Sequence, residues 1–280
     1  MVEGTAAAPS RARTVARRRA LGDGLRFVVL LVVTALLLVP VLVPVWRLMA
    51  PDPTTGSSGG LTDLVRAVAG TLGAAPVVTW LTNSFLVTAV AVVVSVAVAA
   101  PAGYVVSRGR GRGVHGFALL IFALQAVPVL LFMIPLFVLF VALRLNDTLH
   151  GVTLVYIGLS IAVATWTMSS YFDSIPRELE EAAWIDGCSV LGGFLQVVLR
   201  NSLPGVLSAA VYVFLFTWND YWIALVFLRT DVNYTLGLAL AGPGSYPAVA
   251  VIAMLPPLVV FGVLHRYFSR GGIGGALAGR

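Results

Sequence analysis

Residues 27–46 read FVVLLVVTALLLVPVLVPVW, twenty positions without a charged side chain. One helix needs about 20 apolar residues to cross the hydrocarbon core of a bilayer, so this run is read as a membrane span. Comparable runs follow at Trp80 to Val106, Phe117 to Leu143, Val152 to Phe172, Leu203 to Leu228 and Pro247 to Phe268, separated by short polar breaks. With 59% of residues hydrophobic and 11% charged, the composition is that of a polytopic membrane protein rather than a soluble enzyme. The expected fold is all-α, with six transmembrane helices.

Around these spans the chain divides into four parts. Residues 1–25, with Arg11, Arg13, Arg17, Arg18 and Arg19 and little that could pack, read as a disordered basic tail. Residues 26–79 hold the first span and an external loop. In that loop Ala50 to Gly60 is irregular and Leu61 to Val68 is a short amphipathic helix. Residues 80–270 form a core of five spans, and 271–280 a second tail. A cleaved signal peptide fits poorly, because the run from Phe27 is long for its apolar segment and no small-residue cleavage site follows in Arg47 to Ala50.

All 18 positive charges are Arg. Placing the N-terminus inside puts fourteen of them on the cytoplasmic side and leaves four, Arg47, Arg66, Arg144 and Arg229, outside, as the positive-inside rule requires. Both termini are therefore expected in the cytoplasm, the chain being multi-pass in a membrane. Beside spans, Arg sets orientation and touches anionic lipid, so the net charge of +6 is not read as a nucleic-acid footprint. Without Lys there is no P-loop, and any ATP must be bound by a partner. Cys188 stands alone and three scattered His residues have no metal-ligand spacing; no cofactor is expected.

One charged segment is stranded between apolar runs: Ile175-Pro176-Arg177-Glu178-Leu179-Glu180-Glu181-Ala182-Ala183-Trp184-Ile185-Asp186-Gly187. Asp173 or Ser174 is placed to cap a helix whose first turn takes Pro176. Glu178, Glu180 and Glu181 complement its positive end. Ala182 and Ala183 leave a face that a partner can approach closely, and Gly187 permits a sharp turn into a second segment, Ser189 to Arg200. The bland alternative is an amphipathic connector lying on the membrane surface.

Glu181-Ala182-Ala183, then Gly187, then Val197-Val198-Leu199 resembles the EAA loop of the inner-membrane permeases of ATP-binding-cassette importers. Leu199-Arg200 departs from the family's Leu-Pro ending, with Pro204 four residues on. Further strings resemble the maltose-type branch that imports carbohydrates: Leu81-Thr82-Asn83-Ser84, Ile134-Pro135-Leu136-Phe137, Leu145-Asn146-Asp147-Thr148, Trp218-Asn219-Asp220-Tyr221, Tyr234-Thr235-Leu236 and Gly275-Ala276-Leu277-Ala278-Gly279. The resemblance covers the chain from Trp80 onward. It implies a cytoplasmic coupling helix between spans four and five, with Glu178, Glu181, Ala182, Ala183, Asp186 and Gly187 meeting an ATPase. It also implies a homologous second permease, a pair of ATP-binding subunits and an extracytoplasmic sugar-binding protein as partners.

Asp220 lies in an apolar span, where an ionised carboxylate costs about 3 kcal/mol near the helix centre. It is expected to line the transport path or to cap the segment Tyr221 to Leu228, with Trp218, Asn219 and Tyr221 sharing the path or gate. Tyr212 and Trp222 suit a sugar path chemically, although packing and interfacial anchoring explain most aromatic residues in spans. Pro128 and Pro135 are expected to kink span three. The rival from another class, an ion-coupled secondary transporter, predicts internal repeats and several midplane acids. An intramembrane hydrolase would need a nucleophile beside His265, and none is evident.

Overall fold

A computed structural model describes residues 9–51, 58–241 and 247–271. Among them every regular element is helical. The Gly275 to Gly279 string lies outside the described residues. Two compact units divide at Ala67 and Val68.

In the first unit, α1 (Pro9–Met49) carries the opening apolar run, and its helical backbone reaches back into the basic segment read as a tail. Side chains such as Leu30, Leu36 and Leu37 are exposed, as for a helix solvated by lipid. After it, Gly60 donates its backbone N–H to Met49 O at 2.8 Å, closing the turn before α2 (Leu61–Leu72).

The second unit is built on α3 (Ala75–Arg108), followed by α4 (Arg112–Ala126) and α5 (Val129–Ala142). The third expected span is thus two helices bent by 95°. Pro128 lacks an N–H and disfavours helical geometry at Val127, which is extended at ψ 126°. Pro135, by contrast, stays within α5. Next comes α6 (Leu149–Asp173), capped by Thr148, whose hydroxyl accepts the Gly151 N–H at 3.0 Å.

α6 pairs with α3 more extensively than any other two elements do, and the sequence explains how. On α3, Ala91, Ser95, Ala99 and Gly103 recur every four residues and are buried. They form a stripe of small side chains that lets two backbones approach. A Cβ on Gly103 would lie 3.0 Å from Thr165 O and from Met168 Cβ. α6 answers with Val152, Tyr156, Ser160, Ala164, Met168 and Phe172, also four apart and all buried.

Beyond α6 lie α7 (Glu178–Ile185), α8 (Val190–Gly193), a π-helical turn at Phe194–Val198 and α9 (Leu199–Asn201). α10 (Leu203–Trp218), α11 (Trp222–Phe227), α12 (Leu236–Leu240) and α13 (Pro247–Gly271) are the remaining α-helices among the described residues. Among the described residues, four helices are long and apolar enough to cross a membrane, or up to six if each bent pair counts as one span.

Candidate functional site

Two clusters of polar contacts sit near opposite ends of α3. At its C-terminal end, Glu180 of α7 is 2% exposed and both of its carboxylate oxygens are occupied. Arg108 Nε donates to Oε1 at 2.6 Å and the Tyr104 hydroxyl to Oε2 at 2.9 Å. A buried carboxylate is tolerable only when paired and hydrogen-bonded in this way. Arg108 also donates to Ile175 O at 2.9 Å, while Ser107 donates to Asp173 Oδ1 at 2.6 Å and Arg177 to Ser107 O at 3.3 Å. Asp173 is therefore the last residue of α6 rather than the cap of α7, and the Ser174 hydroxyl turns back to Tyr171 O. α7 opens from Pro176 and Arg177, whose carbonyls accept the Leu179, Glu180 and Glu181 N–H groups.

The residues singled out in the sequence flank this buried pair on the solvent side. Glu178, Glu181, Ala182, Asp186 and Gly187 are exposed and Ala183 is partly buried. Gly187 has φ +89°, in the left-handed region that favours glycine, and Ser189 caps the next helix by accepting the Gly192 N–H at 3.1 Å. Around these acids Leu179, Trp184, Ile185, Val190, Leu191 and Leu195 are exposed, Ile185 by 87%. Apolar side chains and carboxylates are thus exposed together on one short loop.

Near the other end of α3, strings scattered through the sequence converge. Trp80 Nε1 donates to Asp231 O at 3.0 Å, and Asn83 Nδ2 donates to Val232 O at 2.8 Å and Tyr234 O at 3.0 Å. Ser84 Oγ accepts the Leu236 N–H at 2.6 Å. Asp147, at φ +55°, accepts the backbone N–H groups of Arg229 and Thr230 and the Thr230 hydroxyl. Burial alone would raise its carboxyl, but these bonds and one from Asn233 hold it down at about 2. From Ser84 to Tyr104 α3 advances about 30 Å at 1.5 Å per residue, the thickness of a bilayer core.

α10 breaks at Asn219 to Tyr221, where the Asp220 carbonyl lies against Gly237. Asp220 Oδ2 accepts three hydrogen bonds, from the N–H groups of Ile223 (2.9 Å) and Ala224 (3.1 Å) in α11 and from the Tyr156 hydroxyl (2.9 Å). Trp218 is buried, stacks on Phe214 and donates Nε1 to Ala253 O at 3.0 Å, which makes it an anchor to α13. Asn219 is exposed and bonds back to Leu215 O, while Tyr221 is partly buried against exposed Trp222. A cavity of about 650 Å³ opens where α4 gives way to α5, lined by Gln125, Pro128, Phe132, Tyr212 and Phe216 among others. Tyr212 and Phe216 are stacked within 9° of parallel.

Comparison with known proteins agrees with this architecture. The family model of the binding-protein-dependent transport system inner membrane component matches residues 95–271. The chain belongs to this family. The permease is 31% identical over 209 residues to the maltodextrin transport system permease protein MdxG of Bacillus subtilis, covering 71% of this chain and 75% of that one. It is 32% identical over 212 residues to the trehalose transport system permease protein SugB of Mycobacterium tuberculosis, covering 71% and 76%. Its fold matches that of a bacterial ABC transporter involved in the import of the acidic polysaccharide alginate, with TM-score 0.73, 24% identity and coverage of 90% of this chain and 98% of that one. The ion-coupled carrier is thereby set aside, and the chain is a permease subunit of an ABC importer.

Proposed function

We propose that this permease forms half of the membrane pathway of an ATP-driven carbohydrate importer and couples to a separate ATPase through α7. The observation that carries the coupling is the solvent-facing patch of Leu179, Trp184, Ile185 and Leu191 beside Glu178, Glu181 and Asp186. An apolar centre with an acidic rim suits a groove on another subunit. With each bent pair counted as one span, four spans precede α7, so the cytoplasmic N-terminus that the Arg distribution favours goes with a cytoplasmic α7. ATP hydrolysis then belongs to a pair of partner subunits, and a homologous second permease supplies the other half of the path. An extracytoplasmic binding protein delivers the sugar to the end of α3 at which Asp147 and Asn83 hold the 229–236 segment. The Asp220 break and the cavity beside Tyr212 and Phe216 supply the polar and aromatic surfaces that a sugar needs.

The test is purification of the tagged chain from its own membranes in mild detergent beside Gly187→Asp, with identification of co-purifying proteins by mass spectrometry. An ATPase subunit present with the parent chain and depleted with the variant is the expected result. A well-folded parent chain that brings down no ATPase overturns the reading. Radiolabelled maltodextrin and trehalose uptake by the assembled complex tests the substrate class.

A further inference from the structure

The buried Arg108–Glu180 pair raises a mechanical question that the docking surface does not answer. α7 has only eight residues and is joined by short turns to α6 and, through α8, the π turn and α9, to α10. Chain connectivity therefore delivers any displacement of α7 to α6 and α10 alone. α3 precedes α7 by two intervening spans, yet its last two turns are keyed into the loop at several points. Tyr104 and Arg108 together occupy both oxygens of Glu180, and Arg108 spans onward to Ile175 O. Arg177, just before α7, reaches back to Ser107 O at the end of α3. The Tyr104 ring also packs on Phe194 of the π turn, with centroids 4.8 Å apart. Exposed acids would have served a docking surface equally well. Burying one against an arginine costs desolvation of both groups and is returned only by fixed geometry, and the planar guanidinium fork supplies that geometry.

We propose that Tyr104, Arg108 and Glu180 form the joint that makes α7 and α3 move as one body, so that α3 carries a displacement of α7 along its own length to the turn around Asn83. α3 is suited to the task because it runs unbroken past Pro101 for 34 residues. Near its far end Trp80, Asn83 and Ser84 hold the 231–236 segment. Tyr104, Arg108 and Glu180 are positioning residues, and the inference rests on the coupling role of α7 proposed above.

Dipolar EPR on the complete transporter tests it. Cys188, the single cysteine of the chain, and Arg110→Cys just beyond α3 carry the labels, with partner cysteines replaced. In the parent complex the α7–α3 distance is expected to be the same without nucleotide and with ATP and vanadate. In Glu180→Gln it is expected to shift by about 2 Å or more between those states. Tyr104→Phe, which removes one hydrogen bond and no charge, is expected to show a smaller shift in the same direction. A distance that changes with nucleotide in the parent complex, or that stays invariant in Glu180→Gln, overturns the joint. Should Glu180→Gln fail to assemble, an invariant distance in Tyr104→Phe overturns it as well. An ATPase that fails to co-purify with the unlabelled parent chain would instead strike the coupling role of α7 on which the joint rests.

Discussion

Asp147 and Thr230 lie 83 residues apart in the chain, yet Thr230 donates both its backbone N–H, at 3.0 Å, and its hydroxyl to the Asp147 carboxylate. The contact ties the loop before α6 to the segment after α11. The carboxyl is depressed from its ordinary 3.8 to about 2, so its stabilising contribution is complete above 3.8 and is lost as pH falls through about 2. Asp147→Asn keeps an acceptor but loses the charge, at a cost of about 1 kcal/mol near neutral pH, where charge-assisted bonds are the stronger ones. Melting temperatures in detergent are expected to separate parent and variant at neutral pH and to converge as pH falls from 3.8 to about 2. A gap that is constant with pH would contradict the account.

Gly187 has positive φ with nothing within 4 Å of an added Cβ, so a substitution there meets backbone strain and no crowding. Gly187→Val is expected to cost about 2 kcal/mol locally, and Gly187→Asn less, because Asn tolerates left-handed geometry. Retention of the ATPase in pull-downs should rank parent, Asn, Val. Equal loss in Asn and Val would show that the side-chain volume, rather than the turn, is what the partner rejects.

Where α10 starts, a Cβ on Gly205 would stand 2.4 Å from Cγ of Tyr171 on α6. Gly205→Ala therefore forces two packed helices apart at the base of a ring that cannot swing away, an overpacking cost of about 1–3 kcal/mol. Adding Tyr171→Ala should restore much of the loss, because it removes the atoms that clash. Thermal denaturation of the four chains gives the coupling energy, and additive losses would mean that Gly205 matters for another reason.

The helical class could be read from hydropathy alone, because each span must be a long apolar run. The motif strings could also be read, but their meeting could not. Asn83, Asp147 and the Tyr234 to Leu236 string share one cluster only after the helices pack. Span three shows a second limit: a proline marks a weak point, yet Pro128 ends a helix and Pro135 does not. The size of a bend depends on what surrounds the freed backbone. The sequence does not single out Glu180, because three glutamates crowd one turn. Glu178 and Glu181, three apart, share a face, while Glu180 is turned toward Arg108, 72 residues away in the chain. The stripe of Ala91, Ser95, Ala99 and Gly103 was a legible signal, since four-residue spacing of small side chains marks close helix packing in membranes.

Asp220 offers the sharpest separation of structure from transport. The hydrogen bonds from Tyr156, Ile223 and Ala224 converge on Oδ2, so the carbonyl oxygen of Asn can accept those same donors. Asp220→Asn is therefore expected to keep the α10–α11 break and to melt within about 1 kcal/mol of the parent. Asp220→Leu leaves two N–H groups and the Tyr156 hydroxyl without their acceptor and should lose about 2–3 kcal/mol. Uptake measured beside stability then assigns the role. Uptake that survives in Asn and fails in Leu makes Asp220 a cap that shapes the path. A folded Asp220→Asn without uptake means that its charge, or its second oxygen, acts on whatever passes through.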